Sequence, residues 1–300
     1  MHVLVAGGNG FIGTNLVEKL VDQDHEVTVL ARNPDAAALP ADVATESGDV
    51  TAYDSIEAAV DGQDVVVNLV ALSPLFKPTG GDEMHDEVHR HGTENLLRAA
   101  EAEGVERFVQ MSALGADSDG ATAYIRAKGR AEEHVQESEL DWVIVRPSVV
   151  FGEGGEFVSF TKKLKGMFAP GVPVYPLPGG GKTRFQPIHV DDLVEMLADT
   201  VSDDAHVGET YELGGPEQLT LREITNMVYD AAGKSVSIVS VPMPLAGIGL
   251  TLGGKLPGFP MGADQYRSLR FDNTTDDNDI EAFDRTTADL TSLRSYLGVA

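Results

Sequence analysis

A tyrosine, a lysine and a serine of this chain are spaced so that together they could move a proton to or from an oxygen atom. Tyr124 and Lys128 stand four residues apart in an amphipathic stretch, which places them on one face of a predicted helix. An ammonium beside a phenol lowers the phenol pKa from about 10 toward neutrality, which would make Tyr124 a general acid and base. Ser112 ends a predicted strand upstream of this helix, and its hydroxyl would hold a substrate oxygen. A Y-x-x-x-K pattern alone occurs about as often as chance would produce it. Whether it indicates a catalytic pair therefore depends on the surrounding elements.

A glycine-rich turn follows the first predicted strand and opens the first predicted helix. Gly7 permits the tight turn, Gly10 lets the backbone approach a pyrophosphate, and Gly13 allows the helix to pack closely on the strand. The N–H groups of Phe11, Ile12 and Gly13 at the helix N-terminus would face the phosphates. This order of strand, glycine turn and helix predicts a dinucleotide-binding site.

Residues at the ends of the next strands predict which dinucleotide is bound. An acidic residue at the end of the second strand would hold the ribose 2′-hydroxyl of NAD, but Ala31-Arg32 stands there. The Arg32 guanidinium would hold a 2′-phosphate, so we expect NADP(H) to be preferred over NAD(H); stacking of Arg32 on adenine is the alternative. Asp49 would accept a hydrogen bond from the adenine amine, or else it caps a helix. Val50 and Ala71 complete the expected contacts at these strand ends.

The elements that would position these residues alternate between apolar strands and amphipathic helices. Apolar runs predict buried parallel strands at Val3–Ala6, Val27–Leu30, Val65–Val70, Arg107–Met111 and Trp142–Val145. Helical periodicity occurs between them, at Phe11–Val21, Ser55–Val60, Glu87–Glu101 and Tyr124–Glu137. The alternation predicts an α/β fold, namely a Rossmann-type doubly wound parallel sheet with a small C-terminal substrate domain.

The second half of the chain has a different pattern. Glycine and proline predict loops, notably over residues 170–181, and residues 216–300 read as an irregular lid. We expect the Rossmann domain to comprise residues 1–150 and about 186–215. The substrate or lid domain would comprise about 151–185 and 216–300.

Composition excludes several classes of function. The 300 residues include 48 acidic and 22 basic ones, for a net charge of −26, which excludes nucleic-acid binding because phosphates need clustered Lys and Arg. Such a surface predicts a halophilic source, since concentrated salt screens its self-repulsion. With no cysteine, disulfides and thiolate catalysis are excluded.

His85 and His89 resemble half of an H-E-x-x-H zinc motif, but Asp86 replaces its glutamate and we expect no metal site. The first residues form a strand without a basic leader, which predicts a cytoplasmic protein.

These motifs together resemble a known family. The chain is similar to short-chain dehydrogenases/reductases of the extended or atypical branch. More narrowly, it resembles bacterial and archaeal relatives of the nucleotide-binding accessory subunit of respiratory complex I. The segments that carry the resemblance are residues 7–13, 112–116, 124–128, 146–152, 178–192 and 211–215.

The resemblance implies roles for individual residues. It implies Tyr124 as acid and base, Lys128 binding the nicotinamide ribose, and Ser112 orienting the substrate. Pro147 would lie near the nicotinamide. Many family members have an Asn in the helix after the fourth strand that supports a proton relay. His89 stands at the matching position, and an imidazole can itself shuttle protons.

The expected function is hydride transfer to or from a carbonyl or hydroxyl group, with NAD(P) as cofactor. One alternative is a non-catalytic NADPH-binding assembly or sensor protein associated with respiratory-chain components; another is a nucleotide-sugar epimerase or dehydratase. The expected partner is a small-molecule substrate, and the chain would be a monomer or homodimer. The apolar segment 245–253 reads either as core packing or as a patch that meets a lipophilic substrate, a partner or a membrane surface.

Overall fold

A computed structural model describes residues 1–34, 39–172, 174–256 and 259–299. In chain order its strands are β1 His2–Ala6, β2 Glu26–Ala31, β3 Ala44–Ser47, β4 Val65–Asn68, β5 Arg107–Met111, β6 Asp141–Pro147, β7 Val150–Phe151, β8 Val174–Pro178, β9 Arg184–Phe185, β10 Ile188–His189, β11 Thr210–Leu213, β12 Leu219–Thr220 and β13 Ser237–Val241. Its helices are α1 Phe11–Asp22, α2 Glu57–Val60, α3 Gly92–Glu103, α4 Ala123–Glu137, α5 Glu156–Phe168, α6 Val190–Ser202, α7 Leu221–Asp230, α8 Met243–Gly253, α9 Ala263–Ser268 and α10 Leu293–Leu297. A turn of π-helix, Asp86–His91, leads directly into α3.

The chain divides into two compact units. Unit 1 comprises residues 1–72, 80–147 and 190–212, and unit 2 comprises residues 73–79, 148–189 and 213–300.

Unit 1 is built on a seven-stranded sheet in the order β11-β6-β5-β4-β1-β2-β3, counted over the described residues. The neighbouring pairs from β6 to β3 are all parallel. The apolar runs become strands because helices cover both faces of a parallel sheet, and Val3, Leu4, Val5 and Ala6 of β1 are all fully buried. The predicted Rossmann-type α/β fold is confirmed. The order of strands reverses between β1 and β4, and the carboxyl ends of strands at such a point border the crevice where α/β proteins bind ligands.

The core of unit 1 packs helices against this sheet. One cluster joins Leu4 of β1, Phe108 of β5 and Ile144 of β6 to Leu96 of α3 and Val135 of α4. These contacts fix α3 and α4 on one face of the sheet, so that the first turn of α4 lies near the carboxyl end of β5.

Unit 2 is more regular than its glycine and proline content predicts. Residues 170–181, expected to be loop, contain strand β8, which pairs in parallel with β13. Proline lacks only an N–H donor, so Pro176 and Pro178 are tolerated in a two-stranded sheet where each strand has one free edge. The segment expected to be an irregular lid contains α7 to α10. Helix α7 begins with a capping box, in which Thr220 and Glu223 each accept a hydrogen bond from the other's backbone N–H.

Candidate active site

The turn between β1 and α1 leaves the first amide groups of the helix without side-chain partners. Gly7 has a φ of +83°, in the left-handed region that glycine adopts most easily, and its N–H donates to the Leu30 carbonyl at 2.8 Å. No side chain caps α1 at Gly10. The N–H groups of Phe11 and Ile12 therefore begin the helix free of a side-chain cap, in the arrangement that binds a phosphate.

Gly13 is required by close packing of the helix on this turn. A Cβ at this position would lie 2.4 Å from the carbonyl oxygen of Gly7 and 2.6 Å from the Cα of Gly8. Both neighbours are backbone atoms, so neither can rotate away. Any side chain here would push α1 off the turn and displace the amide groups that face the phosphate position.

The residues expected around the adenosine lie at the ends of β2 and β3. Arg32 is exposed directly after β2, and it forms no ion pair within the described residues. Asn9 ties the glycine turn to this strand end, because its side-chain amide donates to the Asn33 carbonyl at 3.1 Å. Asp49 accepts hydrogen bonds from the N–H and hydroxyl of Thr51, at 3.0 and 2.9 Å, so its carboxylate stabilises a local turn.

The other two expected cofactor contacts differ in exposure. The Val50 side chain is buried in the core of unit 1, so only its backbone remains to meet a ligand. Ala71 is exposed three residues after the end of β4.

Lys128 is a buried cation that has no carboxylate within hydrogen-bond distance among the described residues. Its side chain is 1% exposed, and its ammonium donates to the Met111 carbonyl at the end of β5, at 2.7 Å. Burial lowers the pKa of Lys128 to about 8, although the negative charge of Glu132, one turn later on α4, acts in the opposite direction. Glu132 itself is held in a two-pronged ion pair by Arg146 of β6, with N–O distances of 2.9 and 2.5 Å.

Tyr124 lies one turn before Lys128 on α4, and two histidine rings contact its ring edge to face. The ring centroids of His85 and His89 are 5.5 and 5.3 Å from that of Tyr124, at interplanar angles of 76° and 87°. Thr122 caps α4 by accepting a hydrogen bond from the N–H of Ile125, which places Tyr124 in the first turn. The Tyr124 hydroxyl forms no hydrogen bond within the part of the chain that the structure describes.

The sequence-based expectation for the pKa of Tyr124 was wrong in direction for the ligand-free protein. Burial raises this pKa above its ordinary value of 10, because the ionised phenolate would lose its hydration. The Lys128 ammonium, which the sequence predicted to lower this pKa, donates a hydrogen bond to the Met111 carbonyl. Tyr124 is therefore a neutral phenol with its proton available at neutral pH.

His89 is a neutral, buried imidazole at this site. Burial, followed by the charges of Lys128 and His85, holds the pKa of His89 well below its usual value. Its Nε2 accepts a hydrogen bond from the Leu72 N–H at 3.4 Å, so the proton must be on Nδ1. That Nδ1 is buried and has no partner among the described residues. This Nδ1–H is a hydrogen-bond donor at the position where many family members have the side-chain amide of an Asn.

Ser112 and Pro147 lie at the carboxyl ends of neighbouring strands. The N–H of Ser112 donates to the Val145 carbonyl at 2.7 Å, and the Pro147 carbonyl accepts from the N–H of Leu114 at 3.1 Å. The hydroxyl of Ser112 is buried and has no hydrogen-bond partner within the described ranges. A buried hydroxyl without a partner costs free energy, which is recovered when a ligand oxygen binds it.

A buried polar network that sequence reasoning missed fixes the loop after β4. The Asn68 amide donates to Thr93 at 3.1 Å and to Gln110 at 2.9 Å, and its oxygen accepts from the N–H of Val70. The Thr93 hydroxyl donates to the His89 carbonyl at 2.6 Å. In the sequence, the only sign of this network is Asn68, a polar residue at the end of the apolar strand β4. His85 was also missed as a contact of Tyr124, because its stacking on His89 depends on the π-helical turn that follows it.

These residues fit a nicotinamide dinucleotide. The uncapped amides of α1 suit a pyrophosphate, since no side chain projects from Gly10 into the space before them. The buried ammonium of Lys128 and the unpartnered hydroxyl of Ser112 suit the ribose and substrate ends of the same site. All of them belong to unit 1.

Comparison with known proteins agrees with this geometry. A family model described as NAD(P)H-binding matches residues 7–167, which is more than half of the chain. The chain belongs to this NAD(P)H-binding family. Within it, the sequence and fold place the chain among the extended short-chain dehydrogenases/reductases, as the motifs predicted.

Two curated relatives are 30% identical to the chain. The mitochondrial NADH dehydrogenase [ubiquinone] 1 alpha subcomplex subunit 9 of Arabidopsis thaliana matches over 81% of this chain and 60% of its own length. The chain thus spans about three fifths of that relative. The 3 beta-hydroxysteroid dehydrogenase/Delta 5→4-isomerase of Mycobacterium tuberculosis matches over 78% of this chain and 70% of its own length.

A solved structure has a similar fold. DesIV, a dTDP-glucose 4,6-dehydratase from Streptomyces venezuelae solved with NAD bound, is 25% identical. It superimposes with a TM-score of 0.68 over 81% of this chain and 84% of its own. The proteins to which this chain is similar are thus named as dehydrogenases, dehydratases and respiratory-complex subunits.

Proposed function

We propose that this protein is an NADP(H)-dependent oxidoreductase that reduces a carbonyl group or oxidises the corresponding hydroxyl group. The observation that carries the proposal is the Lys128 ammonium, which is buried on the helix face that presents Tyr124. Burying a cation without a carboxylate in contact is unfavourable for folding. A lysine perturbed in this way beside a tyrosine is typical of a site that uses the charge.

In the proposed reaction, the bound nicotinamide supplies or accepts the hydride. Tyr124, which is a protonated phenol at neutral pH, donates its proton to the substrate oxygen. The Ser112 hydroxyl donates a hydrogen bond to the same oxygen. The positive charge of Lys128 stabilises the phenolate that Tyr124 becomes, since opposite charges attract strongly in a buried site.

His89 positions Tyr124 in this scheme. Its ring, held between the Leu72 N–H and the Tyr124 ring, limits the rotation of the phenol. Its Nδ1–H is available to a water molecule or a substrate hydroxyl, which would let it take part in returning a proton to Tyr124.

The proposed cofactor preference rests on Arg32. An exposed guanidinium with no ion-pair partner in the described ranges, directly after β2, is suited to a ribose 2′-phosphate. The name of the mycobacterial relative supports a lipophilic alcohol or ketone as the substrate class.

A second candidate is an NADPH-binding assembly or sensor protein without turnover. The specific observation in its favour is the 30% identity to a subunit of a respiratory NADH dehydrogenase. The two proposals share the cofactor site and differ at Tyr124, which only an enzyme needs.

The experiment is a comparison of the wild type, Tyr124→Phe and the control Tyr296→Phe, each with NADPH and a panel of aldehydes, ketones and 3-ketosteroids. Proton transfer by a positioned side chain contributes roughly a hundredfold or more to the rate. We expect Tyr124→Phe to oxidise NADPH at least about a hundredfold more slowly, with an unchanged Kd for NADPH. Tyr296→Phe, on α10 of unit 2, should match the wild type. Equal rates in the wild type and Tyr124→Phe would refute the enzymatic proposal.

A further inference from the structure

Three segments of unit 2 contain no acidic residue, in a chain that has 48 of them. These segments are residues 73–79, 157–189 and 231–263. At the average density of the chain, a stretch of this total length would carry about twelve acidic residues. The segments nevertheless contain seven of the chain's nine lysines: Lys77, Lys162, Lys163, Lys165, Lys182, Lys234 and Lys255. The three segments are therefore free of acidic residues and enriched in lysine.

The three segments come together in the fold. Strand β8, from the second segment, pairs along its whole length with β13, from the third. A shared hydrophobic cluster joins Phe76 of the first segment, Leu164 and Tyr175 of the second, and Leu250 and Met261 of the third. The three segments without acidic residues therefore pack together within unit 2.

This region exposes an aliphatic helix face. On α8, Leu245, Ile248 and Leu252 are 61%, 58% and 59% exposed. Their spacing of three and four residues places them on one side of the helix, opposite the buried residues Ala246 and Leu250. The helix has 11 residues and carries no charged side chain. Contiguous exposed apolar side chains of this kind are typical of surfaces that bind a partner or a membrane.

Two lysines, Lys77 and Lys255, lie at the C-terminal end of this helix, and a third, Lys163, lies beside Phe76, the residue before Lys77. The Lys77 ammonium donates to the Gly254 carbonyl at 3.3 Å, and Lys163 lies 5.9 Å from the centre of the Phe76 ring. Lys255 follows directly after the helix. All three lysines are exposed, and within the described residues none of them forms an ion pair with a carboxylate.

We propose that this surface, formed by α8 with Lys77, Lys163 and Lys255, docks onto an anionic lipid bilayer. The leucine and isoleucine side chains would enter the headgroup region while the lysines contact lipid phosphates. A chain with a net charge of −26 is repelled by an anionic membrane, and the loss of acidic residues from this one region removes the repulsion where contact occurs.

The surface favours lipid over an acidic protein partner. Protein interfaces concentrate their binding energy in Trp, Tyr and Arg side chains that fit pockets, whereas the outer face of α8 offers only aliphatic groups. Lysine also provides a point charge that pairs with phosphates in any orientation, which suits a fluid surface. None of the described helices is long and apolar enough to cross a bilayer, so the proposed contact is confined to the membrane surface. This proposal does not depend on the proposed enzymatic function.

The test is flotation of the purified protein with vesicles of phosphatidylcholine alone or with about one third phosphatidylglycerol, near 0.15 M salt. We expect the wild type to float with the anionic vesicles and at least tenfold less with the neutral ones. The variant L245S/I248S/L252S tests the aliphatic face, and K77Q/K163Q/K255Q tests the lysines. Each should lower the bound fraction more than tenfold at the same lipid concentration.

A matched control distinguishes the effect of lysines on this surface from the effect of the net charge of the chain. The variant K19Q/R98Q/R130Q removes three positive charges from helices of unit 1 and should bind vesicles like the wild type. Circular dichroism and the Kd for NADPH, expected to be unchanged in every variant, show that each one is folded.

Three outcomes would overturn the proposal. The first is a folded wild type that floats with neither vesicle, which would leave the surface to an acidic protein or a second copy of the chain. Loss of a dimer in L245S/I248S/L252S, measured by light scattering, would identify that second copy. The second is a loss of vesicle binding that is equally large in K77Q/K163Q/K255Q and in the control K19Q/R98Q/R130Q. The third is unchanged binding by L245S/I248S/L252S.

Discussion

Replacing Lys128 by methionine should change how the free energy of unfolding depends on pH. In the cofactor-free protein, burial lowers the pKa of Lys128 from 10.5 to about 8. Between about pH 8 and pH 10.5 the unfolded chain therefore binds a proton at this lysine that the folded chain does not. Stability rises with pH wherever the unfolded state binds more protons, so the wild type should gain stability over this range and Lys128→Met should not.

The magnitude follows from the two pKa values. Moving from 10.5 to about 8 corresponds to about 3 kcal/mol in total, most of which is gained between pH 7 and pH 10. The difference in unfolding free energy between wild type and Lys128→Met should therefore shift in favour of the wild type by about 2–3 kcal/mol over that interval. His89 does not contribute, because its pKa lies well below this range.

Urea unfolding of the cofactor-free proteins at several pH values measures this difference. The single tryptophan, Trp142, lies on β6 of unit 1, so its fluorescence reports the unit that contains Lys128. Lys234→Met, at an exposed position in unit 2, is the control and should give a difference that does not change with pH. If the difference for Lys128→Met were also flat within about 0.5 kcal/mol, the lysine would not be a strained buried cation and the argument for its role would fail.

Three further predictions follow from individual contacts. Arg32→Ala should weaken NADPH binding about tenfold or more and leave NADH binding unchanged, as measured by fluorescence titration; equal losses for both would show that Arg32 stacks on adenine instead. Ser112→Ala removes a hydroxyl that has no partner, so urea unfolding should show no loss of stability while the rate of NADPH oxidation falls about a hundredfold; a loss above about 1 kcal/mol would contradict the unpartnered state. Gly13→Ala places a Cβ 2.4 Å from the Gly7 carbonyl and should abolish NADPH binding. Gly166→Ala on α5, where the Cβ meets nothing, should instead raise stability by about 0.5–1 kcal/mol; binding that survives Gly13→Ala would refute the packing argument.

Features that depend on short stretches of sequence could be predicted. Four consecutive apolar residues, Val3 to Ala6, form a buried central strand because parallel sheets exclude water from both faces. The spacing of Gly7, Gly10 and Gly13 is set by backbone sterics within one turn, so the cofactor turn follows from the sequence directly. The helical spacing of Tyr124 and Lys128 is equally local.

Features that depend on contacts between distant segments could not be predicted. The pKa of Tyr124 rises because the fold removes its hydroxyl from water, and this desolvation is not encoded in the four-residue spacing. His85 reaches Tyr124 only beside a π-helical turn, for which the sequence has no recognised signal. Strand β8 was expected to be a loop because its prolines forbid a central strand, and only its pairing with β13 shows that they lie in a two-stranded sheet.

The central claim, that Tyr124 and its neighbours support hydride transfer in this protein, is tested most directly by the fate of deuterium. The wild type would be incubated with NADPH deuterated at C4 of the nicotinamide, on either face, and with the carbonyl panel. The alcohol products would then be analysed by mass spectrometry. We expect one deuterium on the new carbinol carbon with one of the two labelled cofactors, and at least about a hundredfold less labelled product from Tyr124→Phe in the same time. Bound NADPH that is returned unoxidised with every carbonyl compound, or labelled product formed equally by Tyr124→Phe, would contradict it.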